Sequence, residues 1–252
     1  MSFFNGSHGI DQIQQLADYI DHSSRIVAIT GAGISVAGGG MTYWQMALSN
    51  RRAGATPRSG DSYRSFLPIY LDNMFSYQPS FAHYALADLE EEGKLIGIIT
   101  TNVDCMHTIA GSKNVAEIQG SLQVNCCSRC GRHYDSYEIW KQDELPLCEA
   151  CEGEILPWPI YSHVGLWDVD VRKSQNWISK ADLILVIGTQ GNYGGVYWNY
   201  RKGDAVIVQI NPGHTGFDRA ADLNIRKGSD DVFQKLQERR GKNGDDKKTG
   251  CL

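Results

Sequence analysis

The sequence predicts an α/β protein on a doubly wound parallel sheet, interrupted by a small module of paired cysteines. Three observations carry that reading. Short β-branched apolar runs at 25–30, 95–104, 183–189 and 205–211 have the length and composition of strands buried on both faces. Apolar residues at helical spacing fill stretches beside them, as at 11–20 and 79–90. Residues 122–161 break the pattern with two CxxC pairs, prolines and few apolar runs. Alternation of strand with helix is what a parallel sheet with crossover connections requires.

In chain order, the opening MSFFNGSHGIDQ has neither the basic segment nor the apolar run of a secretory leader. Ile13, Leu16, Ala17 and Ile20 then share one face of an amphipathic helix. The strand RIVAIT runs straight into GAGISVAGGG, whose glycine turn is expected to open a helix. Residues at about 41–78, rich in Tyr, Arg, Gly and Ser, read as an insertion of loops and short helices. From Pro79, the residues Phe81, Ala82, Ala85, Leu86 and Leu89 line one helix face, with Gly93 as the stop. LIGIITTNVD is a second strand, and a short helix follows from Cys105. LILVIGT and AVIVQIN are two further strands, DDVFQKLQERR is a closing helix, and 239–252 reads as a disordered tail. The organisation expected is thus one nucleotide-binding domain from 1–121 and 162–238, with 122–161 inserted in it.

Ligands of such sheets bind beyond the carboxyl ends of the strands. The polar residues at those ends are Thr30-Gly31, Thr101-Asn102 with Asp104, Gly188-Thr189-Gln190, and Asn211. Gly31-Ala32-Gly33 permits a tight turn, close approach of backbone amides to a phosphate, and the positive end of a helix beneath it. By itself such a turn also fits a plain tight connection, since Val36 stands at the third glycine of the dinucleotide fingerprint. Ser35 and the four converging tips favour a dinucleotide.

Cys127-x2-Cys130 and Cys148-x2-Cys151, seventeen residues apart, match the spacing of a four-thiolate zinc ribbon. Four thiolates leave no open position on zinc, so the role expected is structural. Cys126 would form a CxxxC and is left out; Cys105, Cys126 and Cys251 carry no argued function. His133 lies near the cysteines, but four sulfurs already suffice.

The bulk properties set outer limits. A net charge of −5 argues against a partner bound by phosphate neutralisation, so no nucleic acid is expected. No apolar run reaches the roughly eighteen residues of a membrane helix. Seven cysteines, four of them in CxxC pairs, favour a metal site in a reducing compartment, hence a cytoplasmic protein.

At this point the residues resemble the sirtuins. GAGIS (31–35), the PSFAHYALADLE stretch (79–90), TTNVD followed by Met106-His107 and Ala110-Gly111, the paired CxxC module, VIGT and the later Ile210-Asn211 are similar to sirtuin motifs, in sirtuin order, over about residues 10–238. The resemblance implies a Rossmann-type NAD domain with a small zinc-bearing domain, and chemistry that breaks the bond between nicotinamide and ribose. It implies that Gly31, Ala32, Gly33 and Ser35 line the NAD phosphates and nearby ribose. Asn102 and Asp104 would hold the nicotinamide end, with Tyr43, Thr101 and Gln119 in the same cofactor-binding set. Gly188, Thr189 and Asn211 would contact the adenosine half, and Asp230 would close the adenine side.

The departures from the family pattern point to the activity. Where deacylating sirtuins show Gly-Ile-Pro-Asp-Phe-Arg, this chain has Gly39-Gly40-Met41-Thr42-Tyr43-Trp44: the aromatic is kept and the arginine lost. Thr101 replaces a glutamine, PIYSHVGLWD stands for the peptide-binding Phe-Gly-Glu segment, and QGNYGG follows VIGT. The catalytic His-Gly of the family is Gln119-Gly120 here. In a deacylating sirtuin that histidine is the general base on a ribose hydroxyl, and an amide side chain does not titrate. Losing a positioned base costs about 10²–10⁴ in rate. Departure of nicotinamide depends more on orientation and charge stabilisation.

In these respects the chain resembles the class M, macrodomain-linked, sirtuins of bacteria and fungi. That resemblance implies mono-ADP-ribosyl transfer to a protein acceptor, with Asn102, Asp104 and Gln119 as catalytic residues. Rival readings are a deacylase with a substituted base such as His163, a plain NAD hydrolase, and a module that binds NAD or ADP-ribose without turnover. His83 and His107 read as packed or capping residues. Tyr193, Tyr197, Trp198 and Tyr200 fit a ligand stack or a core-facing helix equally, and Arg239, Arg240, Lys242, Lys247 and Lys248 fit a solvated end.

Overall fold

The computed structural model describes residues 11–41, 45, 71–72, 76–141, 146–157, 168–191 and 205–249, with backbone alone over 242–249. Helix α1 (Gln12–His22) buries Ile13, Leu16, Ala17 and Ile20, and the Asp11 carboxylate caps it by accepting from Ile13 N–H. Strand β1 (Ile26–Thr30) is buried at every residue. The glycine turn opens not an α-helix but a 3-10 helix, Ala32–Gly38. Next come α2 (Phe81–Glu91), β2 (Leu95–Thr100), the single turn α3 (Met106–Ile109) and β3 (Val115–Glu117). After the cysteine module the chain continues through α4 (Asp168–Ile178) to β7 (Leu183–Ile187), β8 (Val206–Ile210) and β9 (Leu223–Ile225). It closes with α5 (Ser229–Thr249).

The main sheet runs β3-β2-β1-β7-β8-β9, every neighbouring pair parallel. Its order reverses between β1 and β7, the switch point at which a doubly wound sheet opens a crevice. Alternation along each strand supplies two cores. Ile26 and Ala28 of β1 and Leu183, Leu185 and Ile187 of β7 face α1, α2 and α5. Val27, Ile29, Ile184 and Val186 face Trp177 and Ile178 of α4. Each fully buried aliphatic side chain contributes about 1.5–3 kcal/mol, so the two layers hold the tips of β1 and β7 in fixed register. Gly97 of β2 has a packing reason: a Cβ there would lie 2.4 Å from the Trp177 ring.

A second sheet, antiparallel and ordered β5-β4-β6, joins β4 (Asn125–Cys127), β5 (His133–Tyr134) and β6 (Ile155–Pro157). Its core holds Trp140, Leu122, Ile155 and Cys105. The Trp140 Nε1–H donates to Leu122 O at 3.1 Å and to Asn125 Oδ1 at 3.0 Å.

Helix α5 runs on through residues 239–249. The reason is anchoring: Val232, Phe233 and Leu236 are buried, and the next turn is tied down by two arginines. Arg239 pairs with Asp11, and Arg240 donates to both oxygens of Glu92 at 3.1 and 2.8 Å. Most of the expected insertion at 41–78, with Tyr43 and Trp44, lies outside the described residues. So do His163, the aromatics at 193–200 and Cys251.

Candidate active site

The crevice begins where β1 and β7 turn. Gly31 N–H donates to Ile187 O at 3.1 Å and Gly33 N–H to Gly188 O at 2.9 Å, so the two tip loops are bonded to each other. A Cβ on Gly33 would sit 2.7 Å from Gly188, and one on Gly188, whose φ is +61°, would sit 2.5 Å from Ile34 N. Gly33 and Gly188 are thus explained by mutual approach of two loops. Thr189 and Asn211 meet on the same rim: Asn211 Nδ2 donates to Thr189 O at 3.3 Å. Asp230 caps the start of α2, its two oxygens accepting from Phe81 N–H at 3.0 Å and Ala82 N–H at 3.1 Å.

Beyond β1 and β2, the residues expected at the nicotinamide end come together. The Asp104 Oδ2 accepts from Ser35 Oγ at 3.2 Å and from Tyr77 OH at 3.0 Å, while Oδ1 accepts from Met106 N–H at 3.0 Å. Asn102 Nδ2 reaches Ser35 Oγ at 3.5 Å, and Asn102 N–H donates to Thr100 Oγ1 at 3.0 Å. Thr101 is held to β1 through its N–H on Thr30 O at 3.2 Å. Cys105, between Asp104 and α3, sits at φ 62°, a conformation unusual for a side-chain-bearing residue and typical of functional turns. Sequence reasoning missed Tyr77, which buries its ring and fixes Asp104; it stands in a Tyr-rich stretch with no periodic signal.

Two buried imidazoles lie behind this cluster, ring centroids 4.6 Å apart. His83 Nδ1 accepts from Ser80 N–H at 3.0 Å, which places its proton on Nε2; His107 Nε2 bonds Thr30 Oγ1 at 2.8 Å. Neither His83 Nε2 nor His107 Nδ1 has a partner among the described residues. Burial pushes His83 down to about 4 against the pull of Asp104, and pushes His107 well below the ordinary range. Both stay neutral near pH 7 and are poorly suited as general bases.

Gln119 is half-buried on a turn closed by Gly120 N–H donating to Glu117 O at 2.7 Å, with Gly120 at φ +67°. Glu117, also missed from the sequence, is buried beneath that turn and accepts from Ser121 Oγ at 2.5 Å.

In the small module the sulfurs of Cys127, Cys130, Cys148 and Cys151 all lie within 4.8 Å of one another. The Cys127–Cys151 and Cys130–Cys148 pairs are each 3.5 Å apart. Zinc bonded to four sulfurs at about 2.3 Å needs edges of about 3.8 Å, so the donor set fits a structural zinc ion. Arg129 N–H donates to Cys127 Sγ at 3.3 Å, and a Cβ on Gly153 would lie 2.7 Å from that sulfur. Cys126 faces away by strand alternation, and His133 is outside the cluster. Among the described residues no helix is long and apolar enough to cross a membrane.

Comparison with known proteins agrees with this geometry. The profile of the Sir2 family matches residues 31–193. An NAD-dependent protein deacetylase of Clostridium acetobutylicum is 32% identical over 244 residues, covering 90% of this chain and 98% of that protein. NAD-dependent protein deacetylase 1 of Pyrobaculum aerophilum is 33% identical over 244 residues, covering 91% and 95%. Among solved structures, Sir2 with a p53 peptide and NAD+ superposes with a TM-score of 0.71 at 25% identity, covering 91% of this chain and 98% of that one. With the switch-point crevice, the polar cluster at its rim and the four-cysteine centre, these matches establish that the chain belongs to the Sir2 family of NAD-dependent sirtuins.

Proposed function

We propose that this chain cleaves nicotinamide from NAD and passes ADP-ribose to a protein acceptor. The observation that carries the reading is Gln119, an amide on the turn where the family's deacylating members carry a base. When bound, NAD supplies the scissile bond and the leaving group. Asn102 and Asp104 orient the nicotinamide end, and Ser35 and Tyr77 hold Asp104 in place from two sides. Gly31, Ala32 and Gly33 bring the backbone close to the phosphates, while Gly188, Thr189 and Asn211 serve the adenosine half. Thr101 lines the same crevice, and Gln119 hydrogen-bonds ribose hydroxyls or the acceptor, which brings its own nucleophile.

A second reading is deacylation of acyl-lysine, favoured by the relatives, which are named NAD-dependent protein deacetylases. It requires a base that the described residues near Gln119 do not supply as an imidazole, since His83 and His107 are both pushed down by burial. The test is to incubate the protein with NAD labelled in the adenosine half, a cell extract and an acyl-lysine peptide. Label on protein, lost in Asn102→Ala, supports transfer. Peptide deacylated with no protein labelled supports the second reading. Binding without nicotinamide release contradicts both.

A further inference from the structure

With an amide at position 119, the titration of this turn is decided by the groups packed around it. Glu117 ends β3 level with Thr100 at the end of β2, and its carbonyl closes the turn by accepting Gly120 N–H. Side chains clasp the same turn a second time, Ser121 Oγ donating to Glu117 Oε2 at 2.5 Å. Ser121 is in turn tied to residues 122–124 and, through them, to the turn after β2. Its hydroxyl accepts from Gln123 N–H at 3.2 Å, its carbonyl accepts from Val124 N–H at 3.1 Å, and Leu122 N–H donates to Val103 O at 3.2 Å. Gln119 is therefore bracketed by two bonds from residue 117. One is backbone; the other depends on a carboxyl group.

That carboxyl is enclosed. Glu117 is 8% exposed and Ser121 0%. Asp104 and Cys105 face it from the turn after β2, and Asp170 and Lys173 from α4. Asp170 accepts Glu117 N–H at 2.8 Å, and the Lys173 ammonium is engaged by Val115 O at 2.8 Å. Burial above all, with Asp104 and Asp170 adding to it, raises Glu117 to about 7; the Ser121 hydroxyl and Lys173 work the other way.

We propose that Glu117 is a positioning residue for Gln119, its carboxylate holding the Ser121 hydroxyl and so fixing the Gln119–Gly120 turn for nicotinamide cleavage. The inference rests on the reading of this chain as an NAD-cleaving enzyme. A hydrogen bond to an ionised acceptor is roughly twice as strong as a neutral one, so protonation of Glu117 loosens the clasp while leaving the backbone bond. The titrating group thus lies under the turn instead of on it.

Two readings taken together test this: nicotinamide release from NAD alone, and amide hydrogen exchange over 117–124 corrected for its intrinsic pH dependence. Both are followed from about pH 5.5 to 8.5, about 1.5 units either side of the expected midpoint, in the wild type, Glu117→Gln and Ser121→Ala. In the wild type, release and turn protection rise together by about tenfold through one ionisation near neutral pH. Glu117→Gln keeps an acceptor for Ser121 but cannot ionise, so both readings become flat at the low-pH level. Ser121→Ala keeps the carboxyl but loses the clasp, and stays low at high pH. A wild-type midpoint that survives in Glu117→Gln overturns the proposal, as does equal turn protection in all three proteins. If no nicotinamide is released at any pH while protection titrates in the wild type alone, the clasp stands and NAD cleavage is the reading that fails.

Discussion

A primary amide has no proton affinity near neutral pH, so whatever Gln119 does it does by hydrogen bonding. The substitution Gln119→His introduces a group that titrates in the working range. A positioned base is worth about 10²–10⁴, and Trp44, standing where the resemblance implies an arginine, takes part of that gain away. Peptide deacylation is therefore expected to rise by about 10–10²-fold in Gln119→His. An unchanged deacylation rate in a folded variant that still binds NAD would contradict the role given to this position. At this scale the sequence was legible where spacing itself is specific, as with the paired cysteines. It was not legible where a common residue acquires a task through tertiary contact. Tyr77 is one tyrosine among several until the fold sets its hydroxyl 3.0 Å from Asp104. Glu117 looks like a solvated strand end until α4 and the turn after β2 close over it.

The elements follow the same division. The four long apolar runs became β1, β2, β7 and β8 because strands covered on both faces need continuous hydrophobicity. The outer strands β3 and β9 have three residues each, too few for a period to show, and they form because their neighbours offer an edge. Helix α4 carries a mostly polar sequence and is placed by Trp177 packing over Gly97. Between α2 and α3, His83 and His107 make stability depend on acid. Their native values are lowered while unfolded histidine sits near 6.5, so the unfolded chain binds more protons once pH falls below that point. Their stability is complete above about pH 6.5 and is lost as pH falls toward about 4, where His83 itself takes up a proton. Each histidine costs about 1.4 kcal/mol per pH unit in that window. Denaturant midpoints measured from pH 7 to 4.5 should fall steeply in the wild type and less so in His83→Gln; parallel slopes would contradict this.

For the whole molecule, the crevice and the zinc centre are separate supports joined through Leu122 and Cys105, which pack in the core of the small module while their chain neighbours line the site. Removing zinc should open the small sheet first, since four thiolates held within 4.8 Å repel one another without the ion. Hydrogen exchange after chelation is expected to rise at 125–127 and 155–157 well before it rises at 183–187; simultaneous loss at both places would mean one cooperative unit. The central claim concerns where ADP-ribose goes once nicotinamide has left. The most direct measurement follows NAD labelled in its adenosine half, with acceptor proteins and an acyl-lysine peptide in one vessel, and compares label fixed on protein with acyl groups removed. Protein-bound label is expected to exceed deacylated peptide by about tenfold or more, given what a missing base costs. Deacylated peptide matching nicotinamide release mole for mole, with no label on protein, would contradict it.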